Sequence, residues 1–196
     1  TALVAERMPA RMSVGHIHFG GGSPTILTPE DFTRTIENLR GHFDVLADAQ
    51  IAVELDPRTA DEGYVEAMAR AGVNRASIGV QDFNPVVQKA INRIQPYEVT
   101  ARVIEWLRAR GIDGINMDLL YGLPYQTVES VIETIDQAAG LAPRRIALFG
   151  YAHVPWMKKH QRLLPEEALP DMAERWRQYD AASARLQAHG YVAVGL

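Results

Sequence analysis

Cysteine is the most informative absence from this sequence of 196 residues. The chain contains none, which excludes disulfide bonds, thiolate catalysis and cysteine-ligated metal centres within these residues. Histidine offers no substitute, because His16 and His18 alternate along a short apolar segment without a third ligand at a fixed spacing. We therefore interpret both as hydrogen-bonded structural histidines and assign no metal ligand.

Long hydrophobic runs and an excess of basic charge are also missing. No apolar run approaches the ~20 residues that a membrane-spanning helix needs, and no leader pattern of charged and then apolar residues opens the chain. The 20 lysines and arginines are dispersed and outnumbered by 24 acidic residues, for a net charge of −4. We expect a cytoplasmic protein that binds neither a membrane nor nucleic acid.

The residues that are present predict alternating strands and helices. Helices are expected after Thr28, Asp61 and Thr127, where capping side chains precede apolar residues at helical spacing, and near residues 98–110 and 171–189. Strands are expected at residues 51–55, 76–80, 115–120 and 146–149, and a last one at the end of the chain. This alternation predicts one parallel α/β domain, compatible with a doubly wound sheet or a (β/α) barrel.

Three consecutive glycines follow the apolar segment that contains the two histidines. Gly20, Gly21 and Gly22 are costly in chain entropy and useless for packing. They are expected where the main chain turns sharply or lies against a ligand, the alternative being a permissive loop.

Polar side chains lie at or near the end of each expected strand. Glu54 and Asp118 each interrupt an apolar run, where a buried carboxylate must be paired or hydrogen-bonded. Each could merely cap a helix or pair with Arg58 or Arg75. Because the carboxyl ends of parallel strands are where ligands gather, the agreement of five strand ends favours a ligand site. The other such residues are Gly20 to Ser23, Asp56, Gln81, Asp82, Tyr121, Tyr151 and His153.

A basic and partly aromatic segment occupies residues 156–162. Two interpretations stay open for it: a solvated turn, or a surface that meets an acidic substrate.

Six motifs follow one another along the chain: FGGGSPT at 19–25, VELDPR at 53–58, GVQDFN at 79–84, NR at 92–93, NMDLLYGLP at 116–124 and YAHVP at 151–155. In this order they resemble one known family, the oxygen-independent coproporphyrinogen III oxidases, which are radical enzymes that use S-adenosylmethionine. The resemblance implies an α/β fold with a parallel-stranded partial (β/α)6 barrel of the radical SAM type, truncated at both ends.

The same resemblance implies a set of cofactor-binding residues. Gly21 and Glu54 match positions that hold the S-adenosylmethionine bound at the cluster. A second S-adenosylmethionine in the intact protein would be contacted by Gly22, Ser23, Gln81, Arg93, Asp118 and Ala152. Ser23 replaces the usual threonine of the family and keeps its hydroxyl group.

The large departure from the family is the missing C-x-x-x-C-x-x-C motif, whose three thiolates hold a 4Fe–4S cluster. In the family this motif lies just before the position of Thr1, and a further substrate-binding part lies after Leu196. We therefore expect residues 1–196 to be the central part of one radical SAM barrel domain, without the first strand and its cluster-binding loop and without the C-terminal part.

For the intact protein the resemblance implies two oxidative decarboxylations, which convert coproporphyrinogen III to protoporphyrinogen IX in haem biosynthesis. It implies a small porphyrinogen substrate, an electron-donor protein and a monomer. One alternative is the related haem-chaperone branch, but that branch carries asparagine where this chain has Asp56 and serine where it has Asp82. The other is a folded fragment that is inactive by itself.

Overall fold

The computed structural model describes residues 2–8, 10–22 and 24–195, with the side chain of His160 left aside. The strands are β1 (Ser13–Phe19), β2 (Asp44–Leu55), β3 (Arg75–Gln81), β4 (Gly114–Tyr121) and β5 (Arg145–Gly150). The helices are α1 (Ala2–Ala5), α2 (Pro29–His42), α3 (Glu62–Arg70), α4 (Pro85–Ala90), α5 (Tyr97–Ala109), α6 (Val128–Gly140) and α7 (Met172–Ala188).

The five strands are parallel and form one sheet in the order β1-β2-β3-β4-β5. This confirms the predicted parallel α/β class. In the register of the first pair, Phe19 lies opposite Val53. Glu54 therefore lies beside the point where β1 ends and the glycines begin, which sets the geometry of the site described below.

The predicted helix starts are confirmed by their caps. Thr28 Oγ1 accepts a hydrogen bond from Asp31 N at 3.1 Å, and Pro29 occupies the first helical position of α2. The side chains of Asp61, Thr127 and Asp171 cap α3, α6 and α7 in the same way.

Two expectations about strands need correction. Strand β2 begins at Asp44, seven residues before the predicted start at Ile51. The polar residues of segment 44–50 hide the strand pattern in the sequence. The segment is nevertheless a strand, because its first residues pair with Ser13 and Val14 of β1. A strand at the end of the chain is wrong for residues 191–195, which form no regular structure and leave Val192 and Val194 exposed.

Backbone contacts divide the described chain into two compact units. The first contains the residues up to 79 together with 102–116, and its core includes Ile51, Val53 and Met68. The second contains residues 80–101 and those from 117 onward, and its core includes Leu119 and Ile135. No helix of the described residues is long and apolar enough to cross a membrane.

Candidate cofactor site

The carboxylate of Glu54 in the first unit is held at both oxygens. Gly21 N donates a hydrogen bond of 3.1 Å to Glu54 Oε2, and His18 Nε2 lies 3.2 Å from Glu54 Oε1. The side chain of Glu54 remains 42% exposed. The structure therefore brings the predicted residues Gly21 and Glu54 into direct contact, with a carboxylate that a ligand can still reach.

The glycines of the run differ in the structural reason for having no side chain. A Cβ atom on Gly20 would lie 2.6 Å from Glu54 Oε1 and 2.6 Å from His18 Nε2, so a side chain there would displace at least one of these two groups. Gly21 has a φ of +84°, a conformation that favours glycine, and Cβ atoms on Gly21 and Gly22 would face open space. The predicted residue Ser23 lies outside the described residues.

The arginines proposed as simple partners for Glu54 are bonded elsewhere. Arg58 donates from Nε to Asp56 Oδ1 at 2.9 Å and from a terminal nitrogen to Asp56 Oδ2 at 2.6 Å. Arg75 donates to Gln50 Oε1 at 2.8 Å. The partners of Glu54 are thus the glycine backbone and an imidazole.

Four predicted residues lie in the second unit. Gln81 ends β3 with a φ of +70°, and Asn92, just before Arg93, has a φ of +52°. Asp118 is half-buried within β4, and the exposed Ala152 accepts a hydrogen bond of 2.9 Å at its carbonyl from Gln161 Nε2. A positive φ is uncommon for glutamine and is consistent with a functional position at Gln81, whereas asparagine adopts this conformation readily.

Asp82 is a buried carboxylate whose role sequence reasoning missed. It is fully buried, and its two oxygens accept hydrogen bonds of 2.5 Å, one from Asn84 N and one from Gln126 Nε2. Burial raises the pKa of Asp82 to about 6, against the lowering effect of these hydrogen bonds. Its place at a strand end was visible in the sequence, but its partner Gln126 is 44 residues away.

A second buried amide extends this network to α7. Gln178 is fully buried; its Oε1 accepts from Gly122 N at 2.9 Å, and its Nε2 donates to the carbonyl of Gln126 at 3.0 Å. Gln126 Oε1 also accepts from Leu123 N at 2.7 Å. These contacts fix the turn that follows β4 and Asp118.

The end of β5 carries polar atoms available for further bonding. His153 Nε2 lies 3.1 Å from Glu166 Oε1, and Arg175 donates to the carbonyl of Tyr151 at 2.7 Å. Within the described part of the chain, His153 Nδ1 and the buried Tyr151 hydroxyl have no hydrogen-bond partner.

The basic segment at residues 156–162 follows, and its Trp156 is 71% exposed. Contact of that segment with an acidic substrate stays a prediction.

Comparison with known proteins identifies the relatives of this chain. It is 55% identical over 195 residues to the oxygen-independent coproporphyrinogen III oxidase of Bradyrhizobium diazoefficiens, covering 100% of this chain and 43% of that protein. It is 43% identical over 194 residues to the enzyme of the same name from Cereibacter sphaeroides, covering 99% of this chain and again 43% of the relative. The chain therefore spans less than half the length of these curated relatives.

Two solved structures have a fold similar to that of this chain. The coproporphyrinogen III oxidase HemN of Escherichia coli, described as a radical SAM enzyme, matches with a TM-score of 0.91 and 37% identity, over 94% of this chain and 42% of that one. A domain of a pyruvate-formate lyase-activating enzyme from Bacteroides vulgatus matches with a TM-score of 0.56 and 14% identity, over 87% of this chain and 94% of that one, which shows the fold alone.

The expected partial barrel of the radical SAM type is confirmed by the HemN match. The family model of the "Radical SAM superfamily" matches residues 2–138, which is more than half of the sequence. The chain belongs to the radical SAM superfamily.

Proposed function

We propose that the protein to which this chain belongs is an oxygen-independent coproporphyrinogen III oxidase. The observation that carries the proposal is 55% identity along the whole chain to a protein of that name. The reaction is the oxidative decarboxylation of two propionate side chains of coproporphyrinogen III, which yields the two vinyl groups of protoporphyrinogen IX.

The family implies S-adenosylmethionine and a 4Fe–4S cluster, which together supply a 5'-deoxyadenosyl radical that removes a hydrogen atom from the substrate. The 196 residues include no cysteine, so none of them can be a thiolate ligand of the cluster. We therefore assign no step of the cluster chemistry to these residues. They do fit S-adenosylmethionine, whose amino-acid end carries an ammonium and a carboxylate group.

Glu54 and Gly21 are the proposed contacts to this amino-acid end. The carboxylate of Glu54 is partly exposed and fixed at both oxygens, so it can accept from an ammonium group in a charge-assisted hydrogen bond. The backbone beside Gly21 is open enough for a ligand to approach closely. The role of these residues is to bind and orient the cofactor.

We propose that the intact protein binds two S-adenosylmethionine molecules. The remaining predicted residues would contact the second one. In the second unit these are Gln81, Arg93, Asp118 and Ala152. The positive φ of Gln81 supports its assignment, because such strain costs of order 1–3 kcal/mol and is kept mainly where function needs it. Gly22 and Ser23 are assigned by their match to the family motif.

Residues 1–196 would be the central part of one radical SAM barrel domain, which agrees with coverage of 43% of the oxidases. The whole protein would act in the cytoplasm as a monomer, receive electrons from a donor protein, and use neither a membrane nor nucleic acid.

A segment exchange tests the activity. The corresponding segment of the Bradyrhizobium enzyme is replaced by this chain, and formation of protoporphyrinogen IX is measured without oxygen after cluster reconstitution. We expect turnover comparable with the parent enzyme, because the exchanged segment keeps the cofactor-binding motifs.

The matched control is Glu54→Ala in the same chimera, which should lose S-adenosylmethionine affinity while cluster content stays normal. A chimera that loads its cluster and cofactor but leaves coproporphyrinogen III unchanged would contradict the proposal. Stoichiometric haem binding by that inactive chimera would favour the haem-chaperone alternative.

A further inference from the structure

We infer that His18 is a positioning residue for Glu54, holding its carboxylate in the orientation that receives the ammonium group of S-adenosylmethionine. The inference rests on the proposed cofactor site and adds to it a residue that the family resemblance did not include. It turns a histidine interpreted from the sequence as structural into a determinant of cofactor affinity.

The register of β1 and β2 places the two side chains on one face of the sheet. His18 lies opposite Ala52, two residues before Glu54, and residues two apart on a strand point to the same face. The 3.2 Å separation of His18 Nε2 and Glu54 Oε1 is therefore a diagonal cross-strand contact.

Two different groups are needed to fix the carboxylate. The terminal torsion of a glutamate is broad, so the bond from Gly21 N to Oε2 alone would leave the carboxylate free to turn about that contact. A second contact, from His18 to Oε1, removes this freedom. The lone pairs that remain can then accept from a ligand in a defined direction.

The backbone at Gly20 lies directly against this pair. The atoms nearest to a Cβ at this position would be Glu54 Oε1 and His18 Nε2, both at 2.6 Å. The paired side chains thus lie directly against the backbone at Gly20, and any larger residue must push one of them away. A glycine at position 20 therefore lets His18 and Glu54 stay in contact with each other.

Calorimetric titration of the holoprotein with S-adenosylmethionine tests the inference. Replacing His18 with alanine should weaken binding roughly tenfold, the effect of losing one hydrogen bond to a charged group. Replacing it with glutamine should keep affinity within about threefold of the unchanged protein, because the glutamine amide can donate from a similar position.

Two further variants control for general effects. His16 lies on the same strand and is also exposed, so His16→Gln should bind the cofactor normally. Gly20→Ala should weaken binding at least as much as His18→Ala, because the added methyl group separates the pair. The unfolding midpoint of each variant is measured to identify any that fold poorly.

The outcomes separate this inference from the proposed site. If Glu54→Ala loses affinity while His18→Ala binds normally, the positioning role is overturned and the cofactor site stands. Equal weakening by alanine and glutamine at His18 would also overturn it, because rescue by an amide donor is its signature. If Glu54→Ala itself binds normally, the proposed cofactor site fails.

Discussion

At the scale of single residues, burial decides what each strand-end carboxylate can do. Glu54 keeps 42% of its side chain exposed, so a ligand can reach it from solvent. Asp82 is fully buried and surrounded by amide donors, so its charged form is penalised despite those bonds. Of two acidic residues that look alike in the sequence, one is therefore open to a ligand and the other is enclosed by the protein.

The buried Asp82 predicts a loss of stability as the pH rises. Its folded pKa is raised from 3.8 to about 6, so between these values the folded state binds more protons than the unfolded state. The free energy of unfolding should therefore fall by roughly 2 kcal/mol from pH 4 to pH 7 on account of this residue.

Urea denaturation across that pH range checks the effect against Asp82→Asn, which cannot titrate. The stability of the unchanged protein relative to the variant should fall as the pH rises. Parallel stability curves for the two proteins would contradict the assignment.

Arg93 offers a second prediction at this scale. Arg93→Ala in the holoprotein should reduce turnover mainly, because the motif match assigns this side chain to the second S-adenosylmethionine and away from the one bound at the cluster. Kinetics with a parallel measurement of cluster content checks this, and full production of protoporphyrinogen IX would remove Arg93 from the site.

At the scale of elements, one ion-pair cluster ties α6 to α7. Arg185 donates to both oxygens of Asp136, at 2.5 and 2.8 Å, and His189 Nε2 lies 2.6 Å from Asp136 Oδ1. The bond from Arg185, followed by that from His189, lowers the pKa of Asp136 from 3.8 to about 2. The charge of a single aspartate thus helps to hold two helices together.

This cluster predicts weakening of the contact between α6 and α7 in acid. A carboxylate with a lowered folded pKa contributes stability above its unfolded pKa of 3.8 and loses it as the pH falls toward 2. Asp136→Asn should therefore destabilise the protein at pH 7 and matter progressively less below pH 4.

Amide hydrogen exchange in α7 measures the local effect, and Asp180→Asn, at an exposed position on α7, is the matched control. Equal protection of α7 in Asp136→Asn and in the unchanged protein at pH 7 would reject the role of the cluster.

At the scale of the whole molecule, the chain supplies a parallel sheet of the radical SAM type without the chemistry of the cluster. Its five strands end in glycines, carboxylates and amides, which are groups that bind and orient. The residues that could carry electrons through a cysteine-ligated cluster are not among the 196. None of these residues can therefore be a thiolate ligand of a cluster.

The absence of cysteine from the 196 residues predicts the result of metal loading. After anaerobic reconstitution with iron and sulfide, this chain alone should take up no stoichiometric 4Fe–4S cluster, because it offers no thiolate ligands. Iron and sulfide analysis together with the visible absorption spectrum measures the content. Four irons bound per chain in a stable cluster would contradict the prediction.

The sequence by itself determined the local features of this protein. Thr28, Pro29 and the cap at Asp61 predict where helices begin, because a cap joins atoms only three residues apart. The absence of cysteine excludes thiolate ligands whatever the fold. The alternation of strands and helices predicts the parallel sheet, and the six motifs predict the family.

Tertiary structure alone decided the partners of the functional side chains. Gly21 N meets Glu54 across 33 positions of sequence, and Gln126 meets Asp82 across 44. Such pairings depend on strand register and on the packing of helices, which no local pattern encodes. The sequence shows that polar groups lie at the strand ends. Only the fold shows that His18, Gly20 and Glu54 lie against one another, because residues so far apart in sequence are brought together by strand register.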